Sequence, residues 1–98
     1  MNACMGSSLD KADNELNQVY KALMAKVSDD GKKQLRDAER AWLNYRDKQC
    51  AFDTAGTNGG SIHDSMVANC QERITLAHIA ELKAQLNCQE GDVSCGGQ

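Results

Sequence analysis

The sequence predicts an all-α protein, an antiparallel up-down-up bundle of three helices stapled by disulfides. The 98-residue chain suits a single domain spanning residues 1–98, contains no Pro, and concentrates its Gly in a few short segments. Apolar residues recur at spacings of three and four over three long stretches, which is the periodicity of amphipathic helices. Five Cys in so short a chain are typical of small domains whose limited core needs covalent support.

The first two helices are expected over residues 7–27 and 29–52. The first has a regular apolar stripe made of Leu9, Ala12, Leu16, Val19, Leu23 and Val27. A break at "SDDG" separates the two helices, and Ser28 is a good N-cap for the second because its hydroxyl can accept from the first free backbone N–H groups. The stripe of the second helix consists of Leu35, Ala38, Trp42, Tyr45 and Gln49.

The third helix is expected over residues 62–86, after the Gly-rich loop "DTAGTNGGS" at 53–61. Ser61 and Asp64 are candidate caps for its start. Short connections between consecutive helices favour antiparallel neighbours, hence the up-down-up order. An irregular tail follows, in which residues 88–95 are expected to be closed by a disulfide.

The segment "AWLNYRDKQC" at 41–50 contains the only Trp of the chain. Trp42, Tyr45 and Arg46 share one helix face with Gln49, so we expect Trp42 and Tyr45 in the core. Arg46 is expected to lay its aliphatic stem along them and to hydrogen-bond a partner at the edge of the face. The candidate partners are Glu15, Asn17 and Glu72, and Asp47 is expected to pair with Arg46 or Arg73 or to face solvent.

Catalytic chemistry has little support in the sequence. Arg46 and Asp47 could form a ligand-holding pair, but no second carboxylate or His stands at a spacing that would complete a site. Ser61, His63 and Asp64 have the residue types of a hydrolase triad, yet neighbouring residues on one helix point apart. A small hydrolase using His63 or Asp47 is therefore the last of three functional interpretations, and we expect no enzyme activity.

The net charge, the hydropathy and the spacing of Cys and His argue against several other classes of function. The net charge of −3 argues against nucleic-acid binding, which needs clustered positive charge. No stretch is apolar enough to span a membrane, and no signal peptide is evident at the start as given. No Cys or His spacing fits a metal site, so neither metal nor cofactor is expected.

The cysteines favour disulfides and an oxidising compartment over five buried thiols in a reducing one. Cys88 and Cys95 bracket a short loop that can close locally. Cys50 and Cys70 are each ten residues from Gly60, so they lie level in an antiparallel pair and can bridge. Cys4 is expected at the same end of the bundle, so a Cys4–Cys50 or Cys4–Cys70 bridge is the main alternative to the Cys50–Cys70 bridge.

Five segments of the chain, taken in order, form a recognisable pattern: "MNAC" at 1–4, "ADNELNQVY" at 12–20, "AERAWLNYRDKQC" at 38–50, "GGSIHDSMVANC" at 59–70 and "CQEGDVSC" at 88–95. Together these segments resemble the LprI-type lysozyme-inhibitor family. The structural motif residues within them are Leu16, Asn17, Tyr20, Trp42, Tyr45, Arg46 and Asp47. The resemblance implies a small exported bacterial protein, periplasmic, secreted or lipid-anchored, whose precursor has a signal peptide and a further upstream Cys able to bond Cys4.

The preferred functional interpretation is an inhibitor of lysozyme, or of another peptidoglycan hydrolase, that acts by steric occlusion. The candidate partner-binding residues are the small polar ones of the loop, Thr57, Asn58, Gly59, Gly60 and Ser61. Such a loop on a cross-linked scaffold could enter an enzyme cleft, although a plain flexible connection fits the same composition. The alternative is a structural or stress-related envelope protein that assembles with itself or with another envelope component.

Overall fold

A computed structural model of the protein describes residues 3–88, with side chains from residue 8 onward. Three α-helices make up most of this part: α1 (Ala3–Lys26), α2 (Asp29–Asp53) and α3 (His63–Leu86). One turn of 3-10 helix, Ala55–Thr57, lies between α2 and α3. No strand occurs between residues 3 and 88, so the all-α class is confirmed for that part of the chain. α1 begins four residues before the predicted start.

The apolar stripe of α1 forms the main core of the molecule. Leu16, Val19, Leu23 and Val27 are all buried and pack with Ile79 and Leu82 of α3. Lys26 adds a polar contact at the end of α1, where its Nζ donates to the carbonyl oxygen of Leu86 at 2.5 Å. α3 packs most extensively against α1 and less against α2, whereas α1 and α2 touch each other least.

The start of α2 follows the predicted cap. The Oγ of Ser28 accepts a hydrogen bond from the N–H of Gly31 at 3.0 Å. Asp29 and Asp30 occupy the first turn, where the partial positive charge of the helix dipole favours carboxylates.

The predicted core face of α2 is wrong at two positions. Tyr45 is 52% exposed, and Ala38 is exposed as well. The residues of α2 that turn inward are instead Leu35, Trp42, Arg46 and Cys50, which recur at intervals of four and seven. Consecutive residues of a helix are about 100° apart, so a face centred on Arg46 leaves Tyr45 at its edge.

α3 lies between the other two helices and buries two adjoining faces. Cys70 and Ile74 pack toward α2 with Cys50, whereas Ile79 and Leu82 pack with the stripe of α1. The predicted Cys50–Cys70 disulfide is confirmed, with the two Cα atoms 5.6 Å apart.

The start of α3 differs from the prediction in its cap. The N-cap residue is Ile62, which makes no side-chain hydrogen bond to the helix, so neither Ser61 nor Asp64 caps through its side chain. Asp64 nevertheless lies in the first turn, where its charge suits the helix dipole.

Residues farther along α2 contact residues nearer the start of α3. Glu39 and Trp42 meet His78, Arg46 meets Thr75, and Cys50 bonds Cys70. Among residues 3–88, no helix combines the length and apolarity needed to cross a membrane.

Candidate functional site

The connection between α2 and α3, residues 54–62 and hereafter the α2–α3 loop, contains the predicted partner-binding residues. Its first residue is anchored in the protein, because Thr54 is only 4% exposed. The backbone N–H and the Oγ1 of Thr54 both donate to the carbonyl oxygen of Cys50, at 3.1 and 2.6 Å. These bonds tie the start of the loop to the last turn of α2.

Thr57 and His63 close the loop across its base. The hydroxyl of Thr57 donates to the carbonyl oxygen of Thr54 at 2.8 Å. Its oxygen also lies 2.9 Å from Nδ1 of His63. A hydroxyl has one proton to donate, so the second bond runs from the Nδ1–H of His63 to Thr57. The loop is therefore held at both ends by hydrogen bonds to its own flanking residues.

The tip of the loop faces solvent. Asn58, Gly59, Gly60 and Ser61 are exposed, whereas Thr57 is half-buried. Gly59 has φ of +80°, a backbone conformation that residues with a Cβ adopt only at a cost. The tip therefore presents backbone groups and small neutral side chains.

The Cys50–Cys70 disulfide lies directly behind the loop. Cys50 is fully buried and Cys70 is 6% exposed. Asp53, the last residue of α2, lies beside this bridge and pairs with Arg73 of α3 at 3.4 Å. The covalent bond and the ion pair both fix the end of α2 against α3, so the ends of the loop cannot separate without breaking them.

Trp42 lies in the seam between α2 and α3. Its ring stacks on His78 with the centroids 4.1 Å apart, and the guanidinium carbon of Arg46 lies 5.4 Å from the Trp42 ring centroid. His78 in turn lies 2.7 Å from a carboxylate oxygen of Glu39, and both of these side chains are 14% exposed. Trp42 therefore packs as predicted, while Tyr45 lies outside this stack.

Arg46 joins all three helices. Its Nη1 donates to Oδ1 of Asp13 at 3.0 Å and to Oγ1 of Thr75 at 3.2 Å. The predicted partners Glu15, Asn17 and Glu72 are therefore wrong. The Nε of Arg46 lies 3.6 Å from Asp47 without forming a hydrogen bond, which leaves a buried N–H without an acceptor.

The residues of the hydrolase interpretation are held in separate contacts. His63 bonds Thr57, and Ser61 is exposed in the loop. Asp47 lies near the side chain of Gln71 at 3.4 Å and near Arg46. These contacts hold the helices against one another and close the loop.

The other motif residues lie on α1. Leu16 is 3% exposed and belongs to the core, Tyr20 is half-buried against it, and Asn17 is exposed. Cys88 is disulfide-bonded. Its predicted partner Cys95 lies outside the described residues, as does the side chain of Cys4, so the Cys88–Cys95 bridge and a bond from Cys4 to an upstream Cys stay predictions. The rival Cys4–Cys50 and Cys4–Cys70 bridges are wrong, because Cys50 and Cys70 are bonded to each other.

Sequence reasoning missed the two real partners of Arg46 and the partner of His78. Asp13 and Arg46 are each sixteen residues away from the Asp29–Asp30 pair, on opposite sides of it. Residues equally far from a turn lie level in antiparallel helices. The same rule that predicted the Cys50–Cys70 bridge would have placed Asp13 beside Arg46.

The comparisons with known proteins agree with the sequence resemblance. An uncharacterised protein of Rhizobium meliloti (strain 1021) is 30% identical over 103 residues, which cover 92% of this chain and 74% of the relative. No solved structure matches the chain significantly. The family model described as lysozyme inhibitor LprI matches residues 1–82. The chain therefore belongs to the LprI lysozyme-inhibitor family.

Proposed function

We propose that the protein is an exported lysozyme inhibitor that blocks the enzyme cleft with its α2–α3 loop. Membership of the LprI family supports inhibition. The observation that carries the choice of the loop is its closure by Thr54, Thr57 and His63 in front of the Cys50–Cys70 bridge. A loop held in one shape before binding loses little conformational freedom on binding, and this favours affinity.

The chemistry of the tip suits a cleft that contains acidic groups. Glycoside hydrolases place two carboxyl groups on either side of the scissile bond. Residues 57–61 contain no carboxylate that would be repelled there. The backbone N–H groups of Thr57, Asn58 and Gly60 already donate within the loop, so the backbone donors offered to an enzyme are those of Gly59 and Ser61. Steric occlusion needs no reaction, since a loop that fills the cleft excludes the glycan.

Two exposed apolar residues lie near the two ends of the loop, one two residues before it and one at its last position. Phe52, the only Phe of the chain, is 77% exposed, and Ile62 is 56% exposed. Large apolar side chains that are exposed in the free protein can become anchors when a partner buries them. They are candidates for contacts with the rim of the enzyme cleft.

The frame behind the loop suits an oxidising compartment. The Cys50–Cys70 bridge supports export, because such bonds persist outside the reducing cytosol. The contacts between α2 and α3 support an up-down-up arrangement of the helices. We include the Cys88–Cys95 bridge in the proposal as a second covalent closure, and the periplasm or the exterior as the location.

The test is a titration of the oxidised protein into a turbidity assay of lysozyme on bacterial cells. We expect lysozyme activity to fall to zero once the inhibitor is in molar excess over the enzyme. We also expect the glycan substrate to compete with the inhibitor. Absence of inhibition at a large molar excess, across lysozymes of different classes, would overturn the proposal. Concentration-dependent self-association in light scattering, without inhibition, would instead favour the envelope-assembly alternative.

A matched pair of variants tests the role of the loop. Asn58→Asp places a carboxylate at the exposed tip, where it would face the acidic groups of the enzyme, and we expect weaker inhibition by about tenfold or more. Asn44→Asp makes the same change on an exposed position of α2 and should leave inhibition unchanged. Equal inhibition by both variants would remove the loop from the binding surface.

A further inference from the structure

The limited contact between α1 and α2 leaves a groove between them on the side of the molecule. Its volume is about 360 Å³, at the lower end of the range of small-molecule pockets. The Asp13–Arg46 ion pair connects the two helices, and both of its residues line the groove. We call this feature the α1–α2 groove; its lining residues beyond that pair include Leu16, Tyr20, Arg36, Glu39, Arg40 and Leu43.

Arg36 and Arg40 give the groove two free positive charges. They lie one helical turn apart on α2, and both are exposed. Among residues 8–88, neither guanidinium forms a hydrogen bond or an ion pair. Like charges at this spacing repel each other, so an anion between them is favourable. Asp37 lies between them in sequence and does not line the groove.

The carboxylates that do line the groove already have partners. Asp13 accepts from Arg46 at 3.0 Å, and Glu39 lies 2.7 Å from His78. The groove lining therefore has three guanidinium groups against two carboxylates, an excess of one positive charge, and neither carboxylate pairs with Arg36 or Arg40. This contrasts with the net charge of −3 of the whole chain.

The groove also has apolar surface next to the two arginines. Leu16 is buried, Tyr20 is half-buried and Leu43 is 40% exposed. An occupant that combines carboxylates with a branched aliphatic side chain would satisfy both kinds of surface. A planar guanidinium binds a carboxylate through two parallel hydrogen bonds, and two arginines one turn apart fit two carboxylates about 6 Å apart.

We propose that the α1–α2 groove binds an acidic peptide segment of a partner protein, with two carboxylates on Arg36 and Arg40 and an aliphatic side chain against Leu43. In an extended peptide, alternate residues are separated by about 6.6 Å and point to the same side. The segment therefore presents acidic residues two positions apart. This site is separate from the α2–α3 loop and does not rest on lysozyme inhibition.

Isothermal titration calorimetry with the blocked peptide Glu-Ala-Glu-Ala-Leu, whose two Glu and one Leu point to the same side when the peptide is extended, tests the site. We expect binding by the native protein that weakens with added salt, and chemical-shift changes at the backbone amides of Leu16 and Tyr20 in NMR spectra. Arg36→Gln combined with Arg40→Gln should weaken binding by at least about tenfold, because two charge-assisted contacts are lost. Lys11→Gln combined with Lys48→Gln removes the same charge from positions outside the groove and should leave binding unchanged.

Two further comparisons separate the parts of the proposal. Leu43→Ala should weaken the same peptide severalfold, whereas Leu76→Ala, at a similarly exposed position on α3, should not. Circular dichroism of each variant reports whether it is folded. If the double Arg variant and the double Lys variant weaken peptide binding equally, the loss comes from the change in net charge alone, and the proposal is overturned. Binding of inorganic phosphate without binding of the peptide would overturn it as well.

Discussion

At the scale of single residues, Arg46 is the residue whose contacts connect all three helices. One nitrogen reaches Asp13 of α1 and Thr75 of α3 while the side chain stays 13% exposed. A charge this buried is tolerated because it is paired and hydrogen-bonded. Thr75 is fully buried, so its hydroxyl depends on partners within the protein.

We predict that Arg46→Ala lowers the free energy of unfolding by about 2–3 kcal/mol, since it leaves the Thr75 hydroxyl and the Asp13 carboxylate without this donor. Arg46→Lys should cost less, because it keeps the charge but has no planar fork. Urea unfolding followed by circular dichroism measures both. Arg36→Ala is the control and should change stability by under about 0.5 kcal/mol. A similarly small effect for Arg46→Ala would show that its bonds contribute nothing net.

Tyr45 shows what sequence periodicity leaves open at this scale. A stripe at spacings of three and four fits Tyr45 and Arg46 almost equally well, because both follow Trp42 by about one turn. The choice depends on which side of α2 meets α3, and that is set by the Cys50–Cys70 bridge and the Trp42–His78 stack. These contacts between helices therefore decide that the side chain of Arg46 lies inside the bundle and that of Tyr45 faces solvent.

At the scale of elements, the helices could be predicted well and the loop only in part. The Pro-free apolar periodicity indicated all three helices, and Ser28 marked the start of α2. The cap of α3 could not be predicted, because Ser61 has the right chemistry but lies one residue before the N-cap, Ile62. The composition of the α2–α3 loop indicated a turn, whereas the Thr57–His63 bond that closes it depends on the path of the backbone.

The loop offers a test of how far its shape matters. Gly59→Ala places a Cβ at φ of +80°, and we predict a loss of about 1–2 kcal/mol or an equivalent change in loop shape. Gly56→Ala is the matched control, because its φ is not positive and no atom lies within 4 Å of the added Cβ. Thermal unfolding and the lysozyme assay measure the two effects. If both variants behave like the native protein, the loop adapts freely and its shape is not what binds.

At the scale of the whole molecule, two apolar clusters share one residue. The larger cluster joins α1 to the second half of α3, and the smaller one surrounds the Cys50–Cys70 bridge with Ile74. Trp42 packs against both clusters. In a small domain, unfolding in a single step requires such contacts between its parts.

We predict that Trp42→Ala separates the unfolding of the two clusters as well as lowering stability. Loss of the ring removes the stack on His78 and opens a gap between the clusters, at a cost of about 2–4 kcal/mol. The helix ends joined by the disulfide remain linked when the α1–α3 contacts are lost, since the bridge restricts the unfolded chain. Hydrogen exchange should therefore show different opening free energies for amides near Cys70 and near Leu23. Trp42→Phe keeps an aromatic ring in the seam and should retain one transition. A single coincident transition in the Ala variant would mean that the direct packing of α3 on α1 is sufficient to couple the whole molecule.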